Sequence, residues 1–181
     1  MAIYNGKHCV FEEVGCESSS YSWNGSSNLD DDNCYNDWNI SYMRTGEMPS
    51  KLLLLSSALQ DNLTATTIQT AKNGKSSTLV STSDKLFILA EKEMSSTNTY
   101  SVSQEFSALT TLDYWVNHTT NNDRKKYDSN ATAKRYWTRS PSSGATDRCC
   151  YVGNDGAFSG YDIAGADASQ RFNYIAVCFA F

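Results

Sequence analysis

Three features of the sequence predict an α+β domain with a loop-rich half. Leu52, Leu55, Leu59 and Leu63 recur at helical spacing behind Pro49. Asn73-Gly74 lies between two runs of β-branched residues, a strong short hairpin signal. Residues 142–174 are mostly Gly, Ser, Asn, Asp, Ala and Tyr with almost no periodicity, and the chain then closes on the apolar run Ile175–Phe181.

At 181 residues the chain is read as one domain, with residues 1–37 as an N-terminal extension or its first part and 38–181 as its main body. Hydrophobic residues make up 40% and aromatics 12%, enough for a core, while charged residues at 19% exclude a charge-rich disordered chain. A net charge of −5 argues against a nucleic-acid partner. The short cluster Arg124-Lys125-Lys126 is read as a solvated face. No run of apolar residues is long enough for membrane insertion, and the N-terminus lacks the apolar core of a signal peptide.

In chain order, residues 1–40 give little regular pattern, with Trp23 and Trp38 as isolated anchors in a polar stretch. Asp30-Asp31-Asp32-Asn33 lacks the glycine and distal glutamate of a calcium loop and reads as a solvated acidic loop. One helix is expected over 51–63. A hairpin follows, its arms 64–70 and 76–82, and then a compact apolar strand over 84–90. Ser101-x-x-Gln104 can form a capping box for a second helix through Phe106, Leu109, Leu112 and Trp115, ending near His118. Neither His8 nor His118 has a partner in sequence. Tyr136, Trp137 and Arg139 are read as frame, with a buried indole and a guanidinium bonded to loop carbonyls. Cys9, Cys16, Cys34, Cys149, Cys150 and Cys178 lack zinc-site spacing and are left as free thiols or a partial set of bridges.

Asp84-Lys-Leu-Phe-Ile-Leu-Ala-Glu-Lys-Glu93, followed by a helical region and Tyr136-Trp-Thr-Arg-Ser-Pro141, resembles a family from gut bacteria and their phages. In that family a D-K-L-F-L-L-S-x-x-E segment precedes Y-W-L-R-S-P. Val152-Gly-Asn-Asp-Gly156 and Trp38-Asn-Ile-Ser-Tyr-Met-Arg44 match two further elements. The family is similar to the C-type-lectin-like variable proteins, including those diversified by retroelements. The resemblance implies a C-type-lectin-like fold with a loop-rich ligand-binding half, displaying a variable surface. Adenine-directed mutagenesis in such systems would produce the residue vocabulary seen after Pro141. Three departures stand out: no proline in the closing run, Thr138 where leucine is common, and no Glu-Pro-Asn calcium motif of sugar-binding lectins.

The expectation is a non-catalytic recognition domain with its display surface on residues 142–174. Its candidate ligand-binding residues are Asp147, Arg148, Tyr151, Asn154, Asp155, Phe158, Tyr161, Asp162, Asp167 and Arg171. Aromatic rings supply contact area at low rotamer entropy, and the polar groups supply hydrogen bonds. The resemblance implies the tail tip or fibre of a phage virion, as a homotrimer or attached to other virion proteins, binding a bacterial surface protein or glycan. A bacterial cell-surface or secreted adhesin of the same fold is the alternative. A formylglycine-generating type of enzyme is a second, set against the lack of a nucleophile–base constellation around Cys149-Cys150. No cofactor and no metal are expected.

Overall fold

Among the described residues no α-helix exceeds six residues, and the strands are equally short. The computed structural model describes residues 2–4, 7–12, 23, 36–162 and 174–181. The elements are mixed helices and small antiparallel sheets, an α+β arrangement.

The first sheet joins distant parts of the chain in the order β1 (Ala2–Tyr4), β2 (Lys7–Glu12), β11 (Cys178–Ala180), β5 (Leu86–Phe87), with all pairs antiparallel. The expected closing strand thus exists, as β11, and β2 pairs with it although its sequence carries no strand pattern. Cys178 lies opposite both Glu12 and Phe87 in register.

The leucine periodicity is real but its helix is broken. A π-helical turn, Met43–Glu47, runs into α1 (Met48–Leu52), with Pro49 in its first turn. A turn over 53–56 leaves Leu53 and Leu54 exposed, and Ser56 caps α2 (Ser57–Asn62) by accepting from the Leu59 N–H. Leu52, Leu55 and Leu59 still pack against the core, and Leu63 is buried in it. Spacing reported the face; Ser56 reset the backbone.

The hairpin forms as β3 (Thr66–Ala71) and β4 (Leu79–Asp84), in register from Thr66↔Asp84 to Ala71↔Leu79. Its turn is longer than a two-residue Asn-Gly connection. Gly74 has a different reason to be glycine: a Cβ there would stand 1.9 Å from the Ser142 carbonyl oxygen and 2.0 Å from that of Ala145. The hairpin tip is docked on the start of the 142–174 segment. The apolar stretch 86–90 is fully buried, but only β5 is strand; the rest leads into α3 (Glu91–Met94).

The expected second helix is also divided, into α4 (Ser103–Ala108) and α5 (Asp113–Val116). No capping box forms at Ser101, because its N–H donates to Glu91 Oε2 at 2.7 Å. Glu105 of α4 and Trp115 of α5 are buried. His118 stacks on Tyr114 with ring centroids 4.0 Å apart, and its Nδ1 lies 2.7 Å from the Tyr114 carbonyl. Next come α6 (Asn121–Arg124) and a two-stranded ribbon of β6 (Lys126–Tyr127) and β7 (Ala133–Lys134).

The 142–174 segment was expected to be irregular and is not wholly so. β8 (Tyr136–Pro141), β9 (Arg148–Val152) and β10 (Phe158–Asp162) form an antiparallel sheet in the order β10-β9-β8. Period-2 patterning is hidden because Cys149 and Cys150 are both fully buried while Tyr151 is half-buried. The acidic run 30–33 lies outside the described residues.

Candidate functional site

The site is built on β8, all six residues of which are buried. Trp137 packs edge-on to Trp23 at 5.8 Å, and Trp23 packs against Trp38 at 6.0 Å. The two anchors expected in the polar N-terminal stretch therefore converge on the aromatic of the frame. Trp38 Nε1 donates to Asp84 Oδ2 at 3.1 Å, and Arg44 Nε donates to Oδ1 of the same carboxylate at 2.8 Å. Tyr136 donates its hydroxyl to the Arg124 carbonyl at 2.8 Å.

Arg139 is fully buried, and its guanidinium does meet a loop carbonyl, Ile88 O at 2.8 Å. Its main partner is a charge. Both Glu93 oxygens accept from it, Oε2 at 2.6 Å, in a bidentate pair, and Glu93 Oε2 also accepts from the Ala90 N–H. Ser140 Oγ accepts from the Glu91 N–H at 3.0 Å and donates to Glu105. Glu91 gathers the N–H groups of Thr99, Tyr100 and Ser101. Three buried glutamates thus hold α3, α4 and the 99–101 loop against β8.

Burial pushes the Glu105 carboxyl up to about 7, opposed by its bonds from Ser140 and the Ala71 N–H and by the Arg139 charge. The folded state therefore keeps a proton that the unfolded chain, at the ordinary 4.5, has already released. Stability from this group is highest below 4.5 and falls as pH rises toward and through about 7. The loss reaches an upper bound of about 3 kcal/mol. Glu105→Gln keeps an acceptor for Ala71 and an amide for Ser140. Urea midpoints at pH 5 and pH 8 should fall between the two pH values for the parent and stay flatter for the variant; parallel behaviour would remove Glu105 as the cause.

Both ends of the 142–174 segment return to this frame. Trp137 N–H donates to Tyr174 O at 3.0 Å and Tyr174 N–H to Arg135 O at 2.7 Å, while Ser142 N–H donates to Arg148 O at 2.9 Å. Asn36 clamps the first loop: its Nδ2 donates to Ala145 O and Arg148 O, and its Oδ1 accepts from the Gly74 N–H. Gly144 N–H donates to Gly74 O at 2.7 Å. At the far end of β9, Gly156 takes φ +82°, and a Cβ there would stand 1.7 Å from Asn121 O.

Arg148, Asn154 and Asp155 are exposed, and Asp147 and Tyr151 are half-buried. Tyr151 lies 6.0 Å from the Arg135 guanidinium. These residues do not form one cluster. Asp147 and Arg148 stand at the start of β9 and Asn154 and Asp155 beyond its end, roughly 13 Å away at strand rise. Phe158 is only 8% exposed and belongs to the core, under the Arg124 guanidinium at 4.9 Å, so its ring packs rather than displays. Tyr161 and Asp162 lie in β10 opposite Cys149 and Arg148 by backbone register, with side chains outside the description, as are Asp167 and Arg171 altogether.

The basic cluster is a correction. Arg124 and Lys126 are buried, and Arg124 donates to Gly156 O, Thr119 O and Asn121 Oδ1, tying α6 to the β9–β10 turn. Cys149, Cys150 and Cys178 are buried and outside any disulfide, and burial pushes the Cys149 and Cys150 thiols well above their ordinary range. A thiol held protonated is a poor nucleophile. Among the described residues no group of acidic, histidine and cysteine side chains is arranged to hold a metal ion. No helix among them is long and apolar enough to cross a membrane.

A family profile described as "Domain of unknown function (DUF6273)" matches residues 20–178. The chain belongs to that family. The matched region takes in the frame strand, the segment it carries and the start of β11. No curated protein and no solved structure matches the chain. Asn36, Glu91 and Glu105 of this DUF6273 domain were missed; Gly74 carried only its hairpin signal, and Glu93 the one of closing the D-K-L-F-I-L-A-E-K-E segment.

Proposed function

We propose that this DUF6273 chain is a non-catalytic recognition domain of C-type-lectin-like fold, presenting residues 142–174 as its ligand-binding surface. One observation carries the reading: the segment leaves a single fully buried strand and rejoins it through the Trp137–Tyr174 bond, with Tyr174–Arg135 beside it and Ser142–Arg148 closing the segment's first loop. The exposed residues of a segment so fixed can change with little effect on the core, because the interactions that hold its described part are main-chain bonds and buried side chains. The exposed residues at its two turns include Arg148, Asn154 and Asp155, groups suited to hydrogen bonding with a polar partner. The protonated, buried thiols favour recognition over cysteine catalysis. With the resemblance in the Y-W-x-R-S-P strand, the setting proposed is a phage tail tip or fibre binding a bacterial surface protein or glycan, its weak single sites strengthened by trimeric presentation.

The test compares fluorescently labelled parent and the triple variant Arg148→Ala, Asn154→Ala, Asp155→Ala for binding to a panel of gut-bacterial cells. The triple variant should melt like the parent and lose at least about tenfold in cell binding on any strain the parent binds. Equal binding by both, or no binding to any strain, would overturn the proposal.

A further inference from the structure

A cleft of about 290 Å³ opens beside the β9–β10 turn, between the end of α3, the 97–99 loop and α6. Its walls include Ser96, Thr97, Thr99 and Thr119, with Arg124 and Phe158. The hydroxyls of those four residues are not spent on hydrogen bonds to other described residues; where Thr97, Thr99 and Thr119 are bonded, their main chain makes the bond.

Arg124 is the unusual member. It is 7% exposed, and its three hydrogen bonds go to neutral oxygens: Nε to Gly156 O at 3.0 Å, Nη1 to Thr119 O at 3.0 Å and Nη2 to Asn121 Oδ1 at 2.6 Å. By valence, each Nη keeps one further N–H. Among the described residues no carboxylate forms an ion pair with it. Asp123, its chain neighbour, is engaged with the Thr120 N–H and hydroxyl at 2.9 and 2.7 Å. A buried cation whose hydrogen bonds all go to neutral oxygens, with the Asp123 charge near but not paired to it, is held at a cost that a bound anion would offset.

We infer that this cleft binds an acidic monosaccharide, its carboxylate on the two remaining Arg124 N–H groups and its hydroxyls on the Ser/Thr wall. A guanidinium fork matches a carboxylate, and the row of free hydroxyls can both donate to and accept from a polyhydroxylated ring. The volume is near the lower end for ligand pockets, about 300 Å³, which suits one sugar ring rather than a chain. The cleft draws only Ala157 and Phe158 from the 142–174 segment, and none of Arg148, Asn154 and Asp155 lines it.

Titration calorimetry of the full chain with D-glucuronate, D-glucose and acetate tests it. Glucuronate should bind at least about tenfold tighter than either of the others, since only it meets both the cation and the hydroxyls. Ser96→Trp, an exposed position whose indole would fill the mouth, should abolish that binding without shifting the melt. The Arg148/Asn154/Asp155 triple variant should retain it, which separates failure here from failure of the display surface. No heat with glucuronate, parity with glucose or acetate, or full binding by a folded Ser96→Trp would each overturn the inference.

Discussion

Glu93→Leu should lower the unfolding free energy by about 3–5 kcal/mol, the cost of stranding one charge of a buried pair. Arg139 is fully buried and Glu93 is 1% exposed, so water cannot replace the missing carboxylate. The change also deprives the Ala90 N–H of its acceptor. Arg139→Met alone should cost as much, by leaving the Glu93 carboxyl buried without its cation. The double variant Glu93→Leu/Arg139→Met should recover much of the loss, because an apolar pair of similar volume removes both desolvation costs. Urea unfolding of the four proteins reads the cycle. Single variants within about 1 kcal/mol of the parent would show that the pair is not what holds α3 to β8.

The second large effect is expected at Trp137. Trp137→Ala empties one corner of the Trp23–Trp38–Trp137 cluster and should cost about 3–5 kcal/mol, as large-to-small core changes do. Near-ultraviolet circular dichroism should lose intensity with the melt, because the three indoles order one another. An unchanged melt would remove Trp137 from the frame.

These two expectations show what the sequence could and could not disclose. Trp137 and Arg139 were legible as frame because an aromatic–arginine strand followed by Ser-Pro has few uses on a surface. The partner of Arg139 was harder to see: Glu93 is 46 residues away, and a glutamate next to a lysine in a helix reads as solvent-facing. Leu52, Leu55, Leu59 and Leu63 disclosed a buried face, yet not the turn that interrupts it, since the helical leucine spacing runs on across Ser56 as if its capping preference were unused. Arg124 was misread because three consecutive cations suggest solvent, whereas an arginine's long stem can carry its charge inward to main-chain carbonyls. β9 was hidden by composition. Its two cysteines are both buried, so neighbouring positions on opposite faces carry the same residue. Gly74 pointed to the hairpin, but its tight fit against Ser142 and Ala145 depends on a contact that no local pattern encodes.

The pairing of β2 with β11 places the second and the last strands of the described chain side by side. Such a contact has a very high sequence separation, and its loop-closure entropy must be met before any of its hydrogen bonds form. During synthesis β2 can pair with β1, but its other edge must wait for β11 to leave the ribosome. The sheet that β5 also joins is therefore completed only once residues 178–180 have emerged, and until then an unpaired strand edge is open to neighbouring nascent chains.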